Sequence, residues 1–373
     1  MAQIILTAQD NYAGLSAWLA QNGLRNVLLV CDDSIRFLTG ISRKLEELEG
    51  EGLSILRFSD FQPNPAYASV TAGVALFRAK GCDGILAIGG GSAMDVAKCI
   101  KLYSNMEGDG ADGAFLRQKI VPNGIPFLAM PTTAGTGSEA TRYAVVYYCG
   151  EKQSVTSESC IPDAVLLDAS ALKTLPIYQK KSTMLDALCH AIESCWSVNS
   201  TDESLGYSEA AIRGVLAHMD GYLANEDAGN AGMLTAAHTA GKAINITQTT
   251  AGHAMCYKLT SLFRIAHGHA AALCDRVLFP WMIDHTDRCI DPRGEACLRR
   301  TLDSIGAALG GKDAREGAEK LAGIIDRLEL PVPAADEAQF NILKTSVNPV
   351  RLKNHPVLLD EPTIDALYHQ ILR

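Results

Sequence analysis

"GILAIGGGSAMDVAK", residues 84–98, joins a short apolar run to a glycine triplet and then to a stretch whose apolar residues recur at helical spacing. A short, continuous apolar run suits a strand buried on both faces of a parallel sheet. Three glycines let the backbone turn tightly and approach a ligand with no Cβ in the way. The same kind of run recurs at "NVLLVCDD" (26–33), "LSILRF" (53–58), "PFLAMPTT" (126–133) and "AVLLDAS" (164–170), with helix-length segments such as "PAYASVTAGVALFRAKG" (65–81) between them. That alternation predicts a doubly wound α/β domain with a parallel sheet. After "LKTLP" (172–176) strand-like runs nearly vanish, and Ala, Leu, Glu and His at 3.6-residue spacing dominate to the C-terminus. The expected organisation is an α/β domain over 1–176 and an all-helical domain over 177–373.

The bulk properties agree with a soluble globular chain long enough for two cores: 373 residues, 47% hydrophobic, 20% charged, mean hydropathy near zero. A net charge of −9 and a pI near 5.5 argue against a general nucleic-acid or membrane-surface role. They leave room for a local basic pocket that takes a small anion. No run approaches eighteen apolar residues, and "MAQIILTAQDNY" lacks the features of a signal peptide, so a cytoplasmic location is expected. The eleven cysteines are scattered and never form a CxxC pair, which points away from a disulfide framework or a thiolate zinc site.

Ser92 and the free N–H groups at the start of the helix after Gly89, Gly90 and Gly91 face an anion, helped by the helix dipole. A second Gly-rich segment, "PTTAGTGSEAT" (131–141), also ends a strand, and its small hydroxyls and bare backbone suit a flat ring and a diphosphate. Two such loops at the C-terminal ends of parallel strands converge where α/β ligands bind. Asp32, at the end of the first strand run, is placed either to accept from an adenosine ribose hydroxyl or to serve as a solvated turn residue.

In the second half, "MLDALCHAIES" (184–194) sets Asp186 and His190 at i and i+4, on one helix face and about 6 Å apart. His253 and His267 lie fourteen residues apart, about 21 Å along one continuous helix. Bonds of roughly 2.0–2.1 Å cannot bridge that distance. If both are ligands, the chain must turn back between them, near Ser261–Ile265. One carboxylate and three imidazoles fit Fe²⁺ or Zn²⁺ with a position open for substrate. His269 would point away from His267 if a helix begins there, and is read as either supporting the ligands from behind or lining the pocket.

These motifs together resemble the iron-dependent (group III) alcohol dehydrogenase family, whose architecture is shared with dehydroquinate synthase. The resemblance covers essentially the whole chain and rests on "GGGSAMDVAK", "PTTAGTGSEAT", and Asp186 and His190 followed by His253 and His267. It implies an N-terminal dinucleotide-binding domain and a C-terminal metal-binding domain, with NAD(P)H and the metal facing each other in a cleft, and at least a dimer. Gly89, Gly90, Gly91 and Ser92 would hold the pyrophosphate, and Asp95 in the same motif is a further cofactor-binding candidate. Thr132, Thr133, Thr136 and Ser138 would line the diphosphate and nicotinamide side, and Asn64 in "FQPNP" would sit at the cleft. Asp32 would disfavour a 2′-phosphate by charge, which gives a preference for NADH over NADPH. Many relatives carry a further His four residues after the first C-terminal ligand, and here that residue is Tyr257. Tyr257, or water, would then serve as proton relay, with His269 as the other catalytic candidate.

"KAINITQTT" (242–250), "HAMCYKLTSLFRIAHGHA" (253–270) and "NPVRLKNHP" (348–356) resemble most closely the phosphonoacetaldehyde reductase-type members. That resemblance implies reduction of a small anionic aldehyde to a primary alcohol. Arg142, Lys258, Arg351 and Lys353 are the cations available to meet the anionic end, each with a surface-charge alternative. A general short-chain alcohol dehydrogenase and a dehydroquinate synthase-type lyase are the competing readings, and "PTTAGTGSEAT" favours the dehydrogenase branch.

Overall fold

The computed structural model describes residues 3–372 and divides into two compact units, Met1–Leu175 and Pro176–Arg373. In the first unit, six strands form one wholly parallel sheet in the order β1-β8-β5-β4-β2-β3. They are β1 (Ile4–Thr7), β2 (Asn26–Cys31), β3 (Ser54–Phe58), β4 (Gly84–Gly89), β5 (Phe127–Pro131) and β8 (Ala164–Leu167). The helices of this unit are α1 (Gln9–Gln21), α2 (Thr39–Gly50), α3 (Tyr67–Lys80), α4 (Gly91–Tyr103) and the short α5 (Ala114–Arg117).

Side chains alternate across the sheet into two cores. Leu28, Val30, Ile85 and Ala87 join the core that includes Val70, Val74, Val96 and Ile100 of α3 and α4. Val27, Leu29, Leu86 and Ile88 join the core that includes Leu15, Leu19, Ile41 and Leu45 of α1 and α2. Both faces are therefore covered, which is why β2, β4 and β5 read as unbroken apolar runs. Each fully buried Leu, Ile or Val contributes about 1.5–3 kcal/mol relative to exposure.

All five strand-like runs of the sequence are strands of this sheet. Three further strands lie outside those five runs. β1 is a four-residue edge strand with a largely exposed pattern. β6 (Tyr143–Tyr148) and β7 (Glu151–Thr156) form a separate antiparallel hairpin, turning at Cys149 and Gly150, both with positive φ.

The second unit is helical: α6 (Ile177–Trp196), α7 (Asp202–Leu223), α8 (Asp227–Thr247), α9 (Ala251–Phe263), α10 (His267–Asp284), α11 (Glu295–Ala308), α12 (Ala314–Arg327), α13 (Glu337–Ser346), α14 (Pro349–Leu352) and α15 (Glu361–Ile371). α6 packs against α7, α8 and α10 and is buried without a break from Met184 to Trp196. Polar residues on such a helix must find partners inside the protein. Among the described residues no helix is long and apolar enough to cross a membrane.

Candidate metal centre and nucleotide cradle

Gly89 closes β4, Gly90 caps α4, and the Thr132 N–H donates to the Gly89 carbonyl at 3.0 Å. This joins the two Gly-rich loops at neighbouring strand ends. A Cβ on Gly90 would meet the Thr133 methyl at 3.4 Å, and one on Gly91 the Thr136 methyl at 3.2 Å. The bare backbone of the triplet thus faces the threonines of the second loop. Ser92 lies in the first turn of α4, where N–H groups lack partners within the helix and the dipole favours an anion.

Asp32 follows β2. One of its carboxylate oxygens accepts from the Ser34 N–H at 2.8 Å, while the other lies 3.5 Å from where a Cβ on Gly89 would be. It caps a turn and also faces the glycine triplet. Asn64 occupies an exposed left-handed position (φ 60°) in the loop after β3.

Sequence reasoning missed Lys98. Its buried ammonium donates to the Ser138 carbonyl and hydroxyl, the Thr141 hydroxyl and the Tyr143 carbonyl, at 2.6–3.1 Å. The Ser138 hydroxyl also donates to Asp95 at 3.3 Å. Burial pushes Asp95 up to about 6, with Lys98 pulling it the other way. Asp95 and Lys98 stand three apart on α4, and together they clamp the second loop to the helix that the first loop opens. A turn of this kind, with a carboxylate beside it, fits a diphosphate and an adenosine ribose.

In the helical unit, Asp186 Oδ1 is encircled by imidazoles: His253 Nε2 at 3.4 Å, His190 Nε2 at 3.9 Å and His267 Nε2 at 4.0 Å. Ligand atoms of Asp186, His253 and His267 all lie within 4.8 Å of one another. Four ligands on a tetrahedral ion with bonds of roughly 2.0–2.1 Å stand about 3.4 Å apart. Asp186 Oδ1 and His253 Nε2 are buried and make no hydrogen bond among the described residues. Orphaned buried donor atoms aimed at one point fit a metal ion, and an all-N/O set suits Fe²⁺ or Zn²⁺.

Charge at this point agrees. Burial works to raise the Asp186 carboxyl, but the imidazoles, His190 foremost, outweigh it and hold it well below the usual carboxylate range. Burial likewise opposes charge on His253, yet Glu193 and Asp186 push that imidazole up to about 10. Two buried carboxylates here call for positive charge, whether a proton or a cation.

The local folding that gathers these side chains is specific. α9 ends at Arg264 in the left-handed region (φ 54°), and α10 starts at His267, so the break falls in the Ser261–Ile265 stretch where two ligating histidines would need the chain to turn back. Gly268 lets α10 approach α6: a Cβ there would lie 2.1 Å from the Ser182 carbonyl and 2.5 Å from Asp186 Cβ.

His267 is the open side of the cluster, its side chain 36% exposed where Asp186 and His253 are at 3% and 1%. The Tyr257 ring stacks on His267 with centroids 5.4 Å apart, and the Arg351 guanidinium lies 4.9 Å from the centre of the Tyr257 ring. Lys258 is on the same helix, Lys353 is exposed beyond α14, and Arg142 belongs to the α/β unit, paired with Glu158 at 2.6 Å. Within the helical unit, Arg351 thus stands beside the imidazole cluster through Tyr257. His269 is fully buried, its Nδ1 3.2 Å from the Tyr178 hydroxyl and its backbone N–H on Ser182.

Residues 2–169 match the family described as iron-containing alcohol dehydrogenase, and residues 180–341 match the Fe-containing alcohol dehydrogenase family, C-terminal. The chain belongs to the iron-containing alcohol dehydrogenase family. It is an oxidoreductase of that class. It is similar to a phosphonoacetaldehyde reductase of Streptomyces viridochromogenes, at 33% identity over 80% of this chain and 78% of the relative. It is 27% identical to long-chain-alcohol dehydrogenase 1 of Geobacillus thermodenitrificans, over 93% of this chain and 89% of the relative. Among solved structures it resembles the sulfoacetaldehyde reductase of Bifidobacterium kashiwanohense in complex with NAD⁺, with a TM-score of 0.87, 25% identity, and coverage of 99% of this chain and 96% of the other.

Proposed function

We propose that this dehydrogenase reduces a small aldehyde bearing an anionic group, with phosphonoacetaldehyde the first choice, to the primary alcohol, here 2-hydroxyethylphosphonate. The observation that carries this reading is Arg351, whose guanidinium lies over Tyr257 while Tyr257 stacks on the half-buried imidazole of His267. Asp186, His190, His253 and His267 would hold Fe²⁺ or Zn²⁺. The turn Gly89–Ser92, with Thr132, Thr133 and Thr136, would hold the nicotinamide nucleotide. When bound, the ion supplies a Lewis acid for the carbonyl oxygen and the nucleotide supplies the hydride.

The chain's own residues then set selectivity. The carbonyl oxygen is common to every aldehyde, so discrimination falls to the groups that meet the far end of the substrate. A guanidinium offers planar, paired donors that match a phosphonate's oxygens, and its charge persists at any working pH. The aromatic face of Tyr257 holds that guanidinium in place, which lowers the cost of ordering it. Asp32, facing the glycine triplet, places negative charge where a 2′-phosphate would add more, and NADH is the coenzyme proposed. The names of two similar proteins, one for a phosphonate-bearing and one for a sulfonate-bearing two-carbon aldehyde, support the same substrate class.

The test compares phosphonoacetaldehyde with propanal and glycolaldehyde, under one metal and NADH regime. A desolvated cation facing the anion gives roughly 10²-fold or more in kcat/KM over the neutral aldehydes. Arg351→Ala should remove most of that preference and leave propanal turnover near its original value. Equal or better kcat/KM for the neutral aldehydes in the unmodified enzyme would instead identify a general short-chain alcohol dehydrogenase.

A further inference from the structure

Glu193 lies seven residues after Asp186 on α6, on the same helical stripe as Asp186 and His190, and its side chain is fully buried. Its carboxylate accepts four hydrogen bonds. Oε2 takes the Thr250 N–H and the Thr250 hydroxyl, each at 2.5 Å. Oε1 takes the His253 N–H at 3.0 Å and also meets His253 Nδ1. These donors come from the N-cap and first turn of α9, where N–H groups have no partner within the helix and the cap's own side chain does not serve them. The Thr250 hydroxyl is itself held by the indole N–H of Trp196 at 2.7 Å.

Two consequences meet at His253. An ionised carboxylate only accepts, so the hydrogen on the imidazole side facing Glu193 resides on Nδ1. Nε2 is then the atom whose lone pair is available, and it is the orphaned buried nitrogen 3.4 Å from Asp186 Oδ1. At the same time, the bonds to backbone N–H groups anchor the turn from which that ring hangs. Gly252 makes the approach feasible: a Cβ there would lie 2.6 Å from Glu193 Oε1 and 2.0 Å from Asp275 Oδ1.

We propose that Glu193 is a positioning residue of the metal centre, which holds the His253 imidazole with Nδ1 donating and Nε2 presented, unprotonated, to the ion. This rests on the reading of His253 as a ligand. A carboxylate behind a ligating imidazole fixes its tautomer and orientation and raises its basicity, and losing one costs 10–100-fold in metal affinity.

The experiment measures Zn²⁺ dissociation constants of the full chain by competition with a chromophoric chelator, and records the d–d spectrum with Co²⁺ in place of Zn²⁺. Glu193→Gln should bind Zn²⁺ about 10–100-fold more weakly and shift the Co²⁺ bands, while the metal-free protein still melts cooperatively. If that variant does not fold, Glu193→Asp is titrated in its place. It keeps the negative charge at the start of α9 but lacks the reach to His253, and the same weakening is expected. Thr250→Val removes one bond to Glu193 without touching the imidazole and should bind Zn²⁺ nearly as the unmodified protein does. Wild-type Zn²⁺ affinity in a folded Glu193 variant overturns the proposal. So does a loss in Thr250→Val as large as in Glu193→Gln, because the carboxylate would then act only by anchoring the helix. If His253→Ala binds Zn²⁺ normally, it is the ligand reading that has failed.

Discussion

His253 is fully buried, and its Nε2 makes no hydrogen bond among the described residues. Replacing it with Ala should remove bound Fe²⁺ or Zn²⁺ and turnover together, measured by metal content after desalting and by NADH oxidation. Full occupancy with normal turnover would end the ligand assignment. His269→Ala is the matched control, since that imidazole has its Nδ1 on the Tyr178 hydroxyl, and metal content should stay near wild type. At this scale the sequence is partly legible. The i,i+4 spacing of Asp186 and His190 by itself puts both on one helix face. Glu193, another turn along the same stripe, shares that face, but its spacing does not say what it meets. Which of the unit's carboxylates ends up behind an imidazole depends on how α9 lies across α6, and one helix's spacing does not contain that. Arg351 is the plainer case: ninety-four residues separate it from Tyr257, and nothing in either segment announces the contact.

The informative element is the strand–turn–helix unit of β4, the glycine triplet and α4. Gly90 has an ordinary φ of −83°, and a Cβ there would touch Thr133 only at van der Waals distance. Gly90→Val should therefore leave the protein folded while filling the face the turn offers to a diphosphate. The KM for the nucleotide should rise about tenfold or more, since even roughly 1.4 kcal/mol of lost contact is a factor of ten. An unchanged KM with an unchanged melting temperature would show that the turn is only structural. Elements with strong local signals are readable: five strands as apolar runs, and, given that His253 and His267 share one ion, a reversal between them. β1 escapes because an exposed four-residue edge strand has neither a long apolar run nor clean alternation. The β6–β7 hairpin escapes because its turn is Cys149-Gly150, without the Asn-Gly or Asp-Gly signature.

Across the whole molecule, the candidate metal cluster lies within Pro176–Arg373 and the glycine triplet within Met1–Leu175. The cluster draws its side chains from α6, α9 and α10, so an ion that binds them links three helices in the folded state and none in the unfolded chain. Zn²⁺ at a hundred times its dissociation constant should add about 2.7 kcal/mol of stability, a rise of roughly 5–10 °C in Tm for a unit of this size. Scanning calorimetry with Zn²⁺ and then with excess chelator checks this. A Tm indifferent to both would remove the case for a metal at Asp186. By itself the sequence determined the fold class, the order of α/β and helical parts, the glycine turns and a short list of candidate ligand side chains. Those follow from local rules, because burial on two faces, helical periodicity and glycine's missing Cβ all act over a few residues. Only tertiary structure decided that Asp186 Oδ1 sits among three imidazoles, that Glu193 backs His253 and that Arg351 reaches Tyr257. Those contacts depend on which helix faces meet, and that is set by close packing across the unit, down to the Cβ that Gly268 and Gly252 do without.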